Sequence, residues 1–135
     1  MGCVTSLRRA LFVLVFVIVG SSVFAGSAGA ASRTIVYIGA DDCQPCHMWE
    51  ATFQRSFAAR CAARGVAFRA IHVATLRNIR DTRYWPNDLR PLLSRIPDRS
   101  GTPHFLAVRN GEVIVNVHGI SSYQREIATL METRR

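Results

Sequence analysis

Two cysteines separated by two residues form the part of this sequence with the clearest chemistry. Cys43 and Cys46 enclose Gln44 and Pro45, directly after a predicted strand and at the predicted start of a helix. A three-residue offset puts both sulfurs on one helix face, close enough to close a small disulfide ring. The partial positive charge and free N–H groups of a helix N-terminus stabilise a thiolate, which is the reactive form of cysteine. Pro45 lies in the first turn, where its missing N–H costs little.

An apolar stripe on the predicted helix gives the two cysteines different surroundings. Trp49, Phe53 and Phe57 recur every four residues. At about 100° per residue, Cys46 lies roughly 20° from the centre of this stripe, and Cys43 lies about 80° away. We therefore expect Cys46 to be shielded and Cys43 to lie at the exposed edge, which suits an attacking Cys43 and a resolving Cys46.

The same motif is compatible with four other functions, which the sequence leaves open. Half of a zinc site needs a second Cys/His pair at suitable spacing, and the remaining histidines are dispersed. A structural disulfide suits an exported protein. With His47 the motif becomes C-x-x-C-H, the pattern of c-type haem attachment, although such proteins are mostly helical and here a β-branched strand leads into the motif. The two thiols are also soft ligands for Cu(I) in a copper-delivery protein, with Met48 or His104 nearby.

Hydrophobic patterns predict alternating strands and helices around the motif, in the order β-α-β-α-β-β-α. Asn110-Gly111 between two β-rich runs is a strong hairpin signal, and Gly65 ends the first helix. The predicted strands span 34–38, 66–73, 105–108 and 113–117, and the predicted helices span 43–64, 87–95 and a last segment capped by Ser121 or Ser122. One parallel pair and one hairpin then give an α/β fold with a four-stranded mixed sheet and helices on both faces.

The pattern of residues 1–31 predicts an export signal. Two arginines precede an unbroken apolar run over 11–19, and an A-x-A-like cleavage site follows at 28–30. The alternative is an uncleaved membrane anchor, since the segment after the arginines carries no charge and is long enough to span a bilayer. Because the arginines stay inside, both alternatives place a domain over 32–135 outside the cytoplasm, soluble or anchored in a bacterial periplasm. Membrane contact is expected only through this N-terminal segment.

Length and charge bound the remaining functions. The chain has 135 residues, enough for one small core but not for a two-domain enzyme with its own cofactor module. Its net charge is +8 and all 17 basic residues are arginine, but the charge is scattered, so we expect no nucleic-acid binding. The arginine-rich stretch over 77–99 is either a solvated face or a docking surface for an acidic partner. Cys61 lies 15 residues after Cys46, about 22 Å along one helix, so we expect a small apolar filler.

Over nearly all of its length after the export segment, the chain resembles the thioredoxin family. The strand and C-x-x-C motif over 34–48 resemble the family's active-site strand and helix start. The Gly-Thr-Pro sequence at 101–103 is similar to the loop with the family's cis-proline, which faces the active-site cysteines. The hairpin turn over 110–113 and Gly119 also match family features. The C-x-x-C motif alone is moderately specific, whereas these features together are specific.

The resemblance implies a minimal thioredoxin fold and a thiol:disulfide oxidoreductase, a monomer with no cofactor and no metal. Cys43 is then the nucleophile and Cys46 the resolving thiol, joined in a redox-active disulfide. The residues that tune the motif are then Gln44, Pro45 and His47, and those that bind substrate are Thr102 and the cis-proline Pro103. The implied partners are protein thiols and disulfides, with an upstream redox partner. Exported relatives often keep selected thiols reduced or serve in cytochrome c maturation, which suggests a reducing role here.

Two positions depart from the family's pattern. Cytosolic thioredoxins carry a buried carboxylate six residues before the first cysteine, where this chain has Tyr37. They also carry a tryptophan directly before the motif, where this chain has Asp42. Asp41 and Asp42 disfavour a nearby thiolate, whereas the helix end and any charge on His47 favour it. Because these effects oppose each other, the sequence predicts neither the reduction potential nor the direction of electron flow.

Overall fold

Four strands form a single mixed sheet in the computed structural model, which describes residues 32–132. Strand β1 is central and pairs with β2 in parallel and with β3 antiparallel, and β4 pairs antiparallel with β3, so that the order is β2-β1-β3-β4. The strands are β1 (Arg33–Ala40), β2 (Ala67–Val73), β3 (His104–Arg109) and β4 (Glu112–His118). This is the α/β thioredoxin-like arrangement expected from the sequence. The predicted export signal lies outside the described residues.

The hairpin between β3 and β4 has the turn that the sequence indicates. Asn110 and Gly111 both have positive φ, at 52° and 82°, as a two-residue turn between twisted strands requires. A register shift follows between Ala107 and Val108. The hairpin prediction is therefore confirmed.

Two helices pack on the same face of the sheet, and each contains one π-helical turn, whereas the chain between β2 and β3 covers the opposite face. Helix α1 follows β1 and consists of Gln44–Trp49, the π turn Glu50–Gln54, and Arg55–Ala63. Helix α2 follows β4 and consists of Ile120–Ser122, the π turn Tyr123–Ala128, and Thr129–Glu132. The predicted cap of the last helix is wrong. Gly119 takes the N-cap position and no side chain caps the helix, because the chain turns into α2 directly from β4 and places both serines inside the first turn.

The helix predicted over 87–95 is also different in the structure. Between β2 and β3 the chain forms three short 3₁₀ turns, Leu76–Asn78, Thr82–Tyr84 and Arg90–Arg95. Prolines at 86, 91 and 97 remove N–H donors and bias the residues before them away from the α conformation, so only short turns form. We call residues 76–96 the 3₁₀ segment.

The core has two halves, one on each face of the sheet, as expected from alternating strand residues. We call the half under α1 and α2 face A and the half under the 3₁₀ segment face B. The larger buried residues of face A are Ile35, Tyr37, Trp49, Phe57, Phe105, Tyr123 and Ile127. Those of face B include Val36, Ile38, Trp85, Leu89, Leu92, Ile96 and Leu106, together with Cys43 and Cys46. The two cysteines thus start helix α1 but pack against the opposite half of the core.

The 3₁₀ segment answers one question that the sequence leaves open. Trp85 is buried in face B, and its indole N–H donates to the carbonyl of Ile79 at 2.8 Å, so it is a core residue. Three arginines form ion pairs here: Arg69 of β2 with Asp88, Arg80 with Asp98, and Arg83 with Asp81. Within residues 32–132, no helix is long and apolar enough to cross a membrane.

Candidate active site

A disulfide joins Cys43 to Cys46 at the start of helix α1, with 5.2 Å between the two Cα atoms. Strand β1 ends at Ala40, and a tight turn follows in which the Cys43 N–H donates to the Ala40 carbonyl at 3.1 Å. Cys43 itself is the N-cap residue, with an extended backbone (φ −111°, ψ 97°), and Pro45 lies in the first helical turn. The turn, the cap and the proline together place both sulfurs at one end of the sheet.

The backbone at the helix start is directed at Cys43. The N–H of Cys46 donates to the Cys43 sulfur at 3.1 Å, and the N–H groups of Cys46 and His47 approach the Cys43 carbonyl at 3.0 and 3.2 Å. When the disulfide is reduced, a thiolate at Cys43 would accept the same N–H bond and face the positive end of the helix. The geometry therefore favours negative charge on the first sulfur of the motif.

Cys46 is buried as predicted, whereas Cys43 is more buried than predicted. Cys46 is shielded as expected, with 0% of its surface exposed, but Cys43 is also buried, with 3% exposed. The helical wheel does not apply to Cys43, because an N-cap residue lies outside the helix and its side chain folds back over the first turn. The exposed residues around the disulfide are Asp41, Asp42, Gln44, Pro45, His47 and Met48.

Asp42, directly before Cys43, has a structural contact. Its Oδ1 accepts the backbone N–H of Leu76 at 2.8 Å, and the neighbouring N–H of Asp41 donates to the Val73 carbonyl at 3.1 Å. These two bonds join the turn before Cys43 to the loop after β2. The carboxylate of Asp42 is thus occupied by the backbone of the next loop.

The Thr102-Pro103 loop lies at the same end of the sheet as the disulfide. The peptide bond between Thr102 and Pro103 is cis, and β3 begins at the next residue, His104, which pairs with Ile38 of β1. Continuing this register places the loop alongside the last residues of β1, just before the turn that leads to Cys43. The Pro103 carbonyl accepts the N–H of Gly119 at 2.8 Å, which fixes the loop to the start of helix α2.

A polar contact that the sequence analysis missed lies one helical turn beyond Cys46. The Tyr37 hydroxyl donates to Glu50 Oε1 at 2.6 Å, and His72 Nδ1 lies 3.6 Å from the same oxygen. Tyr37 is fully buried and its ring stacks on Trp49 with 4.4 Å between centroids. Burial, together with the hydrogen bond to Glu50 and its charge, raises the pKa of Tyr37 far above its usual value.

Gly39 makes room for this contact. A Cβ atom at Gly39 would lie 2.9 Å from Glu50 Oε1 and equally close to the Tyr37 ring. A glycine two residues after a tyrosine, in a strand of otherwise larger residues, is the sequence signal that a side chain crosses this position. A buried tyrosine of β1 therefore reaches a carboxylate on helix α1.

The structure leaves fewer side chains free to bind copper than the copper-delivery hypothesis expects. Both ring nitrogens of His104 make hydrogen bonds inside the protein, so they are occupied. Met48 is exposed, at 53% of its surface. Within residues 32–132, no group of three or more His, Cys, Asp or Glu side chains is arranged to bind a metal ion. No observation favours a metal site over the disulfide.

Cys61 is a free cysteine in the buried part of face A. Burial raises the pKa of its thiol to about 11, although Arg60 and Arg64 act in the opposite direction. A buried neutral thiol reacts slowly. Cys61 is therefore a core residue.

Comparison with models of protein families gives no match for this sequence, and comparison with curated proteins gives none. Solved structures do give matches. The germline-specific thioredoxin Deadhead of Drosophila melanogaster has a TM-score of 0.49 and 15% identity, over 75% of this chain and 79% of that one. Thioredoxin f of spinach chloroplasts has a TM-score of 0.47 and 12% identity, over 77% and 80%. A thioredoxin-like protein of Porphyromonas gingivalis has a TM-score of 0.47 and 19% identity, over 75% and 74%.

Proposed function

We propose that this protein is an exported thiol–disulfide oxidoreductase that reduces disulfides of partner proteins through Cys43 and Cys46. The observation that carries the proposal is the position of the Cys43 sulfur. It caps the first turn of α1 and accepts the Cys46 N–H at 3.1 Å, so the fold stabilises a thiolate at that atom. The second sulfur lies one turn further on, fully buried, and within bonding distance of the first.

The proposed reaction has two exchange steps. The Cys43 thiolate attacks one sulfur of a substrate disulfide, forming a mixed disulfide and releasing the first substrate thiol, which takes up a proton from solvent. The Cys46 thiol then loses its proton and attacks the Cys43 sulfur. This step forms the Cys43–Cys46 disulfide and releases the second substrate thiol. An upstream thiol donor returns the pair to the reduced state, so two electrons pass from donor to substrate in each cycle.

In this proposal, the Thr102-Pro103 loop binds the substrate. The loop lies at the same end of the sheet as the disulfide, and an extended peptide would pair with the Thr102 backbone like an added strand. Gln44, Pro45 and His47 are exposed beside the disulfide, where they would contact the substrate and tune the exchange. The export signal predicted over 1–31 puts this reaction outside the cytoplasm.

The two thiols are distinguished by trapping. We expect Cys46→Ser to stop the cycle at the mixed disulfide and to accumulate complexes that run large on a non-reducing gel and disappear with reductant. Cys43→Ser is the matched control and should give no such complexes, because the remaining Cys46 thiol is not the sulfur that accepts the backbone N–H at the helix start. Both variants are expressed with the native N-terminus, and the trapped partners are identified by mass spectrometry. Equal trapping by both variants, or trapping by Cys43→Ser alone, would contradict the assignment of nucleophile and resolving thiol.

A further inference from the structure

A chain of hydrogen bonds runs through His104, the residue that follows Pro103. Its Nδ1 lies 2.6 Å from Ser100 Oγ, and its Nε2 lies 2.6 Å from Asn116 Oδ1. The amide nitrogen of Asn116 donates to the Arg95 carbonyl at 2.6 Å. His104 is the one buried polar or charged residue among those the structure describes, with 1% of its surface exposed. We call these four residues the His104 chain.

Each hydrogen bond of the His104 chain has a defined donor and acceptor. The Asn116 amide N–H₂ donates to the Arg95 carbonyl, so the Asn116 amide oxygen faces His104. Because this oxygen can only accept, His104 Nε2 must carry the proton of that hydrogen bond. Neutral Nδ1 then has a free lone pair, which accepts the Ser100 hydroxyl. Burial lowers the pKa of His104, more than the contacts with Asn116 and Gly101 raise it, so the ring is neutral at physiological pH. The Gly101 carbonyl lies farther from Nδ1, at 3.3 Å.

The His104 chain fastens both ends of the loop that leads to the disulfide end of the sheet. Arg95 is the last residue of the final 3₁₀ turn, and Ser100 precedes the Gly101-Thr102-Pro103 sequence. His104 and Asn116 belong to β3 and β4. His104 of β3 thus holds the loop at Ser100, and Asn116 of β4 holds it at Arg95. Both bonds lie on the face of the sheet where the two cysteines pack. A flexible loop at this point would not present one backbone conformation to a substrate.

We propose that His104 is a positioning residue, which sets the Thr102-Pro103 backbone for binding a peptide substrate beside Cys43. This inference rests on the proposed function and adds the residue that makes the substrate surface rigid. The hydrogen bonds of His104 go to Ser100, Gly101 and Asn116 and not to the sulfurs, and in this proposal His104 does not touch the substrate. His104 therefore affects how well a polypeptide substrate binds. The rate with a small disulfide, which needs no strand pairing, should not depend on His104.

The test uses Ser100→Ala in the full chain, produced with its N-terminal segment and purified after export. Insulin reduction is followed under turnover with dithiothreitol as the electron donor, and the pre-reduced protein is mixed in a single turnover with the small disulfide 5,5′-dithiobis(2-nitrobenzoic acid). We expect KM for insulin to rise about tenfold with little change in kcat, because the loss falls on peptide binding. The rate with the small disulfide should stay within about twofold of the wild type. Ser100→Thr keeps the hydroxyl and should restore KM.

A matched control lies in the same region. Ser94 Oγ donates to the Pro91 carbonyl at 3.1 Å and is exposed, outside the His104 chain, so Ser94→Ala should leave both substrates unaffected. Equal loss with both substrates after Ser100→Ala, or an unchanged KM for insulin, would overturn the positioning role while leaving the proposed function intact. A wild type that reduces neither substrate faster than Cys43→Ser would overturn the proposed function and the positioning role together.

The proton on the ring is measured independently of activity. Nitrogen-15 chemical shifts of the His104 imidazole should show a protonated Nε2 and an unprotonated Nδ1 at neutral pH. A proton on Nδ1 instead would show that Ser100 does not donate to His104, and would overturn the chain as described.

Discussion

The surroundings of Cys43 are made of backbone more than of side chains. Its sulfur accepts an N–H of its own helix, and the nearest acidic neighbour on the chain, Asp42, is bonded to the N–H of Leu76. A site built from main-chain groups changes little when single side chains are substituted. We therefore expect substitutions at Gln44 and His47 to alter the rate of exchange without abolishing it.

Cys61 gives a prediction that does not depend on the active site. We expect Cys61→Ala to leave disulfide exchange within a few-fold of the wild type and to lower the free energy of unfolding by about 1 to 2 kcal/mol, because a small buried side chain is lost. Insulin reduction and urea denaturation measure the two effects. In the native protein at pH 8, Cys61 should resist alkylation, because its thiol has a pKa of about 11. Abolished activity with an intact fold would identify Cys61 as a third redox thiol.

Tyr37 gives a prediction for alkaline pH. An unfolded tyrosine ionises near the usual pKa of 10.0, whereas the folded state raises the pKa of Tyr37, so the folded protein keeps a proton that the unfolded chain releases. The stabilising effect is complete below about pH 10 and is lost as the pH rises further. Each such tyrosine contributes a slope of about 1.4 kcal/mol per pH unit.

Urea denaturation between about pH 8 and pH 11 measures this slope. We expect Tyr37→Phe to be less steep than the wild type by one proton. Burial also raises the pKa of Tyr123, so part of the slope should remain in the variant. An identical slope in the two proteins would contradict the role given to Tyr37.

At the scale of elements, the contact between β1 and α1 depends on Gly39, which has no side chain. Gly39→Ala would place a methyl group against the Tyr37 ring and the Glu50 carboxylate, and we expect it to destabilise the fold by about 1 to 3 kcal/mol. The same substitution in a Tyr37→Phe background should cost less, because one of the crowding atoms is gone. Thermal denaturation of the two single variants and the double variant completes this cycle. Full additivity would show that the crowding lies elsewhere.

Helix α1 shows how far periodicity alone predicts an element. The start, the end and the apolar stripe were predictable, because each depends on local residues. The π turn over Glu50–Gln54 was not, because the spacing of apolar residues does not mark it. It leaves Phe53 half-buried, while Trp49 and Phe57 are both fully buried and their rings lie 6.2 Å apart.

The rest of the candidate site shows the same division between local and distant contacts. The C-x-x-C motif and the Thr102-Pro103 loop were found because short patterns mark them. Glu50 and the hydrogen bonds of His104 were missed. The contacts of Glu50 come from strands β1 and β2, and those of His104 come from the loop before β3 and from the neighbouring strand β4. Such contacts exist only after the sheet has formed.

At the scale of the whole molecule, each face of the sheet has its own buried cluster among residues 32–132. We expect a chain that starts at residue 32 to fold cooperatively and to reduce insulin at the rate of the full chain. Urea denaturation and the insulin assay measure this. Loss of both properties would mean that the N-terminal segment contributes to the fold.

The export prediction is tested on the full chain. Expressed in a bacterium, it should accumulate in the periplasm, and N-terminal sequencing should find a new terminus near residue 31. An intact N-terminus in the membrane fraction would support the anchor instead. Retention in the cytoplasm would contradict both alternatives.

The packing of both cysteines in face B has a thermodynamic consequence. Folding and reduction form a closed cycle, so the oxidised and reduced proteins differ in unfolding free energy by the amount that folding shifts the reduction potential. For this two-electron couple, about 30 mV corresponds to 1.4 kcal/mol. Substitutions that loosen Trp85 or Leu92, far from the motif in sequence, therefore change the driving force of the exchange whenever they destabilise the two redox states unequally. The core of this domain is in this sense part of its redox couple.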